Sequence, residues 1–120
     1  MNTITARRFV SAAPTSLGEQ LAEHLVAIRP IRVEVVTTKH GDGEATIAEV
    51  IEISDHGHPI EHGEIPLFWV VVCEQLKAAT PQTPWVGGRL VRVGKAYRLD
   101  PLTGPEEALI ERALGPVAAP

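Results

Sequence analysis

The chain of 120 residues is 44% hydrophobic and 22% charged, which are ordinary values for one globular domain. Its formal net charge is −4, which excludes bulk attraction to long nucleic acid, so any such binding needs a local basic patch. A single cysteine, Cys73, excludes an intramolecular disulfide and a cysteine-based zinc site. No apolar run has the length of a transmembrane helix, and the N-terminus lacks the apolar region of a signal peptide. We therefore expect a soluble, cytoplasmic protein with no membrane partner.

The two ends of the chain carry weak patterns. Residues 116–120 are almost entirely proline and alanine, and residues 1–14 show no clear periodicity, as is typical of frayed termini. We expect a flexible N-terminal segment at residues 1–14, a single domain over residues 15–115 and a flexible tail at residues 116–120.

The first predicted element is a helix over residues 16–28. Ser16 and Glu19 have the spacing of a capping box. Leucine or isoleucine recurs on one helical face at positions 17, 21, 25 and 28, and Pro30 ends the run.

Two strands follow, over residues 32–38 and 45–53, joined by a turn-rich loop at residues 39–44. They most simply form an antiparallel hairpin. Residues 54–63 are polar and predict a surface loop that holds His56, His58 and His62. Imidazole and carboxylate groups suit zinc or nickel, but glycine and proline do not fix the geometry that a metal needs. A solvated turn is the favoured interpretation, and we expect no metal.

Residues 64–79 are ambiguous. The run at 67–72 has the β-branched content of a buried strand, whereas Phe68, Val72 and Leu76 share one helical face and Pro66 suits a first helical position. About 13 residues without a breaker are long for a strand. We predict a helix from about residue 66 to 79, with at most a very short strand near Ile65 before it.

The most informative segment is residues 85–99, which contains basic residues and no acid. Apolar and basic residues alternate on both sides of Gly94 and Lys95, which predicts a hairpin with a two-residue turn. In that register Leu90 faces Leu99, Arg92 faces Tyr97 and Val93 faces Ala96. A rigid basic ribbon beside aromatic rings suits a phosphate backbone with a stacked base. Basic residues on an edge hairpin also prevent pairing with neighbouring molecules, and this alternative stays open.

A last helix is predicted after Pro101, where Thr103 and Glu106 repeat the capping-box spacing and Gly115 ends the apolar stripe. The order of strands and helices predicts a mainly β fold with flanking helices (α+β). Its form is an OB-like five-stranded antiparallel barrel with helices before, within and after it.

Four stretches, residues 36–50, 67–76, 88–99 (GRLVRVGKAYRL) and 106–114, resemble a family of small proteins carried by actinobacterial phages and their hosts. Members of that family are regarded as OB-fold-like and similar to single-stranded-DNA-binding proteins. The resemblance spans about residues 33–114, and none of its motifs is catalytic. It implies an OB-like fold and a bacteriophage-type module that binds single-stranded DNA in the cytoplasm of the bacterial host.

In an OB barrel the ligand lies across strands 2 and 3, between the loop that joins strands 1 and 2 and the loop that joins strands 4 and 5. Phosphate contacts are then expected from basic side chains, and base stacking from Tyr97 or Trp85. Trp85 has an alternative role as a plug for one end of the barrel. The predicted nucleic-acid-binding residues are Lys39, Trp85, Arg89, Arg92, Lys95, Tyr97 and Arg98.

The sequence contains no nucleophile motif, no phosphate-binding glycine loop and no metalloprotease signature. We therefore expect no catalytic residues, no enzymatic activity and no cofactor. The alternative function is a protein–protein interaction module, such as a phage-encoded modulator of a host protein. DNA, RNA and protein partners, and the oligomeric state, stay open at this point.

Overall fold

The computed structural model describes residues 17–39 and 41–115. The expected flexible segments at residues 1–14 and 116–120 lie outside the described residues, as does Ser16 of the first predicted capping box.

Five strands form one antiparallel sheet in the order β3–β2–β1–β4–β5. Its elements are α1 (Leu17–Leu21), β1 (Leu25–Thr38), β2 (Gly41–Ile53), β3 (Pro59–Leu67), α2 (Val70–Gln75), a 3₁₀ helix (Leu76–Ala78), β4 (Val86–Val93), β5 (Ala96–Asp100) and α3 (Gly104–Leu114). None of the helices in the described part of the chain is long and apolar enough to cross a membrane.

The long strand β1 pairs with two neighbours over different lengths. It pairs with β2 from Leu25 to Thr38, but with β4 only from Leu25 to Ile28. The register with β2 shifts between Pro30 and Arg32, which bends the strand as β-bulges do. Residues 31–38 of β1 therefore have a strand partner on one side only among the described residues.

Both faces of the sheet are covered by helices. The inner face packs on α1 and α2, and the outer face packs on α3. The inner core consists of Leu21, Val26, Ile28, Ala48, Val50, Leu67, Val72, Leu76, Leu90 and Leu99. The outer core consists of Leu25, Ala27, Ile51, Ile53 and Ile110. Burial of these apolar side chains is the main source of stability.

The predicted helix over residues 16–28 is wrong beyond Leu21, because residues 25–28 belong to β1. These four residues pair with a strand on each side, and their side chains alternate between the two cores. A strand buried on both faces is continuously apolar, so its pattern also satisfies a helical period.

The predicted boundaries around residues 54–79 are also wrong. Strand β3 takes up residues 59–67, where we expected a surface loop and a very short strand near Ile65. The helix predicted over residues 66–79 is reduced to α2 and the 3₁₀ helix. The first part of the predicted surface loop does form a turn, in which the Ser54 hydroxyl accepts hydrogen bonds from the amides of His56 and His58.

The broad fold prediction is confirmed, because the protein is mainly β with an antiparallel sheet. Along the chain, helices come before the first strand, between β3 and β4, and after the last strand. The sheet is not closed into a barrel. Within the described residues, β3 and β5 form its two edges instead of pairing with each other.

Candidate functional site

The basic hairpin of β4 and β5 forms with the predicted register. Leu90 pairs with Leu99 and Arg92 pairs with Tyr97. Gly94, which has a φ of +64°, begins the two-residue turn, as the left-handed conformation of such turns requires. One face of the hairpin therefore carries the buried pair Leu90 and Leu99 together with Arg92 and Tyr97.

An arginine and an aromatic ring meet on this face. The Arg92 Cζ lies 5.9 Å from the centre of the Tyr97 ring, within cation–π distance. The Arg92 Nε donates a hydrogen bond to the carbonyl oxygen of Gly94, which holds the exposed side chain against the turn. Tyr97 also packs on Trp69, with ring centres 5.2 Å apart. The guanidinium of Arg92 is thus presented to solvent in one orientation.

Two of the predicted hairpin residues have partners within the protein. Arg89 donates to the carbonyl oxygen of Glu23 and to the carboxylate of Glu106 in α3. The Arg98 Nε donates to the Asp100 carboxylate at 2.7 Å. Since each pair neutralises a positive charge, the net basic character of the hairpin is smaller than its sequence indicates.

The two predicted lysines lie at opposite ends of β1. Leu90 of β4 donates to the carbonyl of His24, just before β1 begins, so the hairpin turn with the exposed Lys95 lies beyond that end. Lys39 is exposed after the other end of β1. The structure therefore brings together Arg92, Lys95 and Tyr97, and it leaves Lys39 on a separate part of the surface.

Trp85 is half-buried just before β4 and packs against the outer core. The Cζ of Arg29 lies 5.8 Å from the centre of its ring. The same guanidinium donates to Glu49 at 2.6 Å. Trp85 thus anchors the start of β4 on the outer face, away from the hairpin turn.

The outer face of strands β1 to β3 carries paired charges. In the register of the sheet, Arg29 lies next to Glu49, and Glu49 lies next to Glu64. Arg29 pairs with Glu49, and Arg32 approaches Glu64 at 3.8 Å. This face, which binds the ligand in OB folds, offers phosphates no concentration of positive charge comparable to that of the hairpin.

A second candidate surface is an apolar groove that sequence reasoning missed. It lies between α2 and the inner face of the bent part of the β1–β2 hairpin, and its volume is about 480 Å³. Its walls include Val33, Thr46, Phe68, Val70, Cys73 and Lys77. Val33 is 62% exposed, Val70 is 76% exposed and Phe68 is 44% exposed. The available signal was the alternation of Val33, Val35 and Thr37 on one strand face.

The predicted histidine cluster is separated by the fold. His56 and His58 stay in the exposed turn, with ring centres 6.5 Å apart, whereas His62 lies in β3. The His62 Nε2 is 3.1 Å from one oxygen of Glu52, and the His24 Nδ1 is 2.5 Å from the other. No group of three or more histidine, cysteine, aspartate or glutamate residues in ranges 17–39 and 41–115 is arranged to hold a metal ion.

The described residues define a small mainly β protein with one antiparallel five-stranded sheet, helices on both faces, a partly neutralised basic hairpin and an apolar groove. Comparison with family models, curated proteins and solved structures found no match. The resemblance to phage OB-fold-like proteins and the function that it implies therefore stay hypotheses.

Proposed function

We propose that the protein is an OB-like, non-catalytic module that binds single-stranded nucleic acid, DNA in the first place, through the hairpin of β4 and β5. The observation that carries this proposal is the cation–π contact of Arg92 with Tyr97 beside the exposed Lys95. Binding of this kind needs cations that follow the backbone and flat groups on which bases stack. Arg92, Lys95 and Tyr97 provide both, in and beside the turn of one hairpin.

The connectivity of the sheet supports the OB-like part of the proposal. OB folds are five-stranded, partly open antiparallel barrels. The present sheet has five strands in the order β3–β2–β1–β4–β5, and α2 lies between β3 and β4. An OB-like barrel opened between β3 and β5 has this arrangement.

The charges set the expected strength of binding. Each phosphate contact on a single strand contributes about −0.7 to the slope of log affinity against log salt. Arg92 and Lys95, with or without Arg98, provide two or three contacts, so we expect a slope of about −1.4 to −2.1. The net charge of −4 opposes binding, and the complex is therefore weak to moderate and little dependent on base sequence.

The test is a titration of a labelled single-stranded DNA of about 30 nucleotides, which exceeds the site of one OB fold, at several salt concentrations. Replacing Arg92 and Lys95 together by alanine removes two contacts and flattens the slope by about 1.4. The matched control replaces Lys77 and Arg112, two exposed basic residues outside the hairpin, by alanine. It makes the same change in net charge and leaves the slope nearly unchanged.

Replacing Tyr97 by leucine weakens binding without changing the slope, because a stacking surface is lost and no charge is removed. An RNA of the same length and sequence, titrated in parallel, measures the preference for DNA. Absence of binding at low salt, or equal slopes for the hairpin variant and its control, refutes the proposal.

A protein–protein interaction module is the second candidate function, with a host or phage protein or another copy of the chain as partner. It is favoured by the apolar groove, because contiguous exposed apolar surface commonly marks an interaction site. Val35 lies beside the groove and is 69% exposed. Refutation of single-strand binding leaves this function as the better account.

A further inference from the structure

Within residues 17–39 and 41–115, the sheet has three strand edges without a neighbouring strand, and they differ in how they are protected. An exposed strand edge presents unpaired backbone groups to other chains, and proteins normally block it with prolines, charges or covering segments. Edge strand β3 contains Pro59 and Pro66, which have no amide hydrogen, and the exposed acids Glu61 and Glu64. The β3 edge is therefore protected by its own sequence.

Strand β5 is protected in a different way. It has only five residues, and the side chain of Gln75 in α2 forms two hydrogen bonds with the backbone of Leu99. The amide nitrogen of Gln75 donates to the Leu99 carbonyl, and its oxygen accepts from the Leu99 amide, each at 2.8 Å. Gln75 thus takes the place of a neighbouring strand at Leu99, near the end of this edge.

The third edge, at residues 31–38 of β1, contains no proline, and its two charged side chains, Arg32 and Glu34, have opposite signs and pair with each other. Strand β4 leaves β1 after Ile28. The segment after α2 borders a small cleft at Arg29 and Pro30, and no described strand pairs with β1 on this side beyond that point. Val33 and Val35 stand exposed here. An apolar strand with an open edge is a template for pairing with another strand.

We propose that this edge of β1 pairs with the same edge of a second copy, antiparallel and with Val33 at the two-fold axis. The protein is then a homodimer with a continuous sheet across its interface. This inference goes beyond the proposed function and does not depend on it. An isologous contact requires a surface that is complementary to itself, and β1 has this property in one register.

In the register centred on Val33, Arg32 lies opposite the partner's Glu34, and the symmetric pair repeats the contact. Residues directly opposite each other in an antiparallel pair share one face of the sheet. Val33 therefore meets the partner's Val33 on the inner face, while the charged pairs lie on the outer face. Opposite charges and apolar pairs in such positions each stabilise strand pairing.

The neighbouring registers are less favourable. A register centred on Glu34 places two carboxylates directly opposite each other, which destabilises pairing. A register centred on Val35 places Glu34 opposite the partner's Val36 and pairs no charges. Arg32 and Glu34 already form an ion pair within one chain, so the dimer joins two such pairs into one alternating network of four charges.

The test measures the oligomeric state of the full chain by sedimentation velocity from about 1 to about 200 µM, the range in which small interfaces dissociate. We expect a concentration-dependent dimer. Val33→Lys places two ammonium groups at the two-fold axis and yields a monomer. The matched control is Val93→Lys, because Val93 is also an exposed strand valine but lies at the end of β4. It stays dimeric.

A charge exchange tests the register. Arg32→Glu alone places carboxylates opposite each other twice and raises the dissociation constant at least about tenfold. Adding Glu34→Arg to that variant restores opposite charges and recovers the dimer. A wild-type monomer at all concentrations, a Val33→Lys variant that stays dimeric, or a double variant that dissociates like the single one would overturn the proposal. Circular dichroism of each variant establishes that it is folded, so that loss of the dimer is distinguished from unfolding of the chain.

Discussion

The side chain of Gln75 completes the hydrogen bonds of Leu99 on the open side of β5. In a closed barrel β3 would supply these bonds, because β3 and β5 are the two strands left at the edges of the sheet. Since α2 follows β3 closely in the chain and packs on β5, it delivers Gln75 to that position. The helix that follows β3 therefore takes the place of the missing strand contact.

Gln75→Glu tests this role. A carboxylate still accepts from the Leu99 amide but cannot donate to the Leu99 carbonyl, so two oxygen atoms face each other. We expect a loss of about 1–2 kcal/mol in the free energy of unfolding, measured by urea denaturation with tryptophan fluorescence. The control Gln82→Glu makes the same change at an exposed position and has little effect. Equal stability of the two variants would contradict the role.

Local signals in the sequence were sufficient for the hairpin and for α3. A two-residue turn sets the register of both strands around it, so the partners of Leu90 and Arg92 follow from the position of Gly94. Thr103 and Glu106 form the predicted capping box, in which both groups lie within four residues of each other. Both predictions depend on short-range contacts.

Strand β3 could not be predicted in the same way, because its sequence contains residues that usually interrupt strands. Pro59 and Pro66 are tolerated because β3 is an edge strand. Gly63 has a φ of +77° and pairs with Val50, where the register with β2 shifts. A glycine inside a strand often marks a bulge of this kind, but the partner strand is needed to recognise it.

The prediction of the candidate site from the sequence was limited for a related reason. The predicted register of the hairpin already places Arg89 and Arg92 on opposite faces, but it does not show what packs on the face that carries Arg89. Only the packing of α3 on that face brings Glu106, seventeen residues later, into contact with Arg89. Charges count as free only when the folded chain leaves them unpaired.

The contact of Arg89 with Glu106 predicts a structural role. Arg89→Ala leaves the carbonyl of Glu23 and the carboxylate of Glu106 without this donor, and we expect the melting temperature to fall by a few degrees. Arg98→Ala is the control, because Arg98 and its partner Asp100 are neighbours on one exposed strand face. Exposed pairs contribute little, so its melting temperature changes by about 1 °C or less. Equal effects of the two changes would contradict the assignment.

Glu106 also predicts a dependence of stability on pH. A hydrogen bond from the Thr103 backbone, and then one from Arg89, lower the pKa of Glu106 below its usual value of 4.5. Because the folded state favours the ionised carboxyl, its contribution is present above that usual value and is lost as the pH falls through the lowered pKa.

Melting temperatures of wild type and Glu106→Gln, measured from about pH 7 to about pH 2, test this dependence. The gap between the melting temperatures of wild type and Glu106→Gln is constant near neutral pH and closes in acid. Glu107→Gln, at an exposed acid in the same helical turn, serves as control and shows a smaller gap. A Glu106→Gln gap that widens on acidification would contradict the sign of the pKa shift.

Gly18 links the fold to the proposed binding surface. A Cβ atom at Gly18 would lie 2.6 Å from the Cζ and 2.9 Å from the hydroxyl oxygen of Tyr97, closer than atoms can approach. Gly18→Ala therefore displaces the Tyr97 ring that Arg92 contacts, and loosens the packing of that ring on Trp69. We expect a loss of about 1–3 kcal/mol in the free energy of unfolding, as for other overpacked sites.

The same variant also changes binding in a defined way. Because Gly18→Ala removes no charge, it lowers the affinity for single-stranded DNA while the salt slope stays at its wild-type value. The control is Gly104→Ala, at the start of α3, where an added Cβ meets no atom within 4 Å. That change leaves affinity unaltered and stabilises the protein slightly, since alanine loses less backbone freedom than glycine on folding. If Gly18→Ala binds as tightly as wild type although its stability falls, the position of Tyr97 is irrelevant to binding and stacking on this ring is refuted.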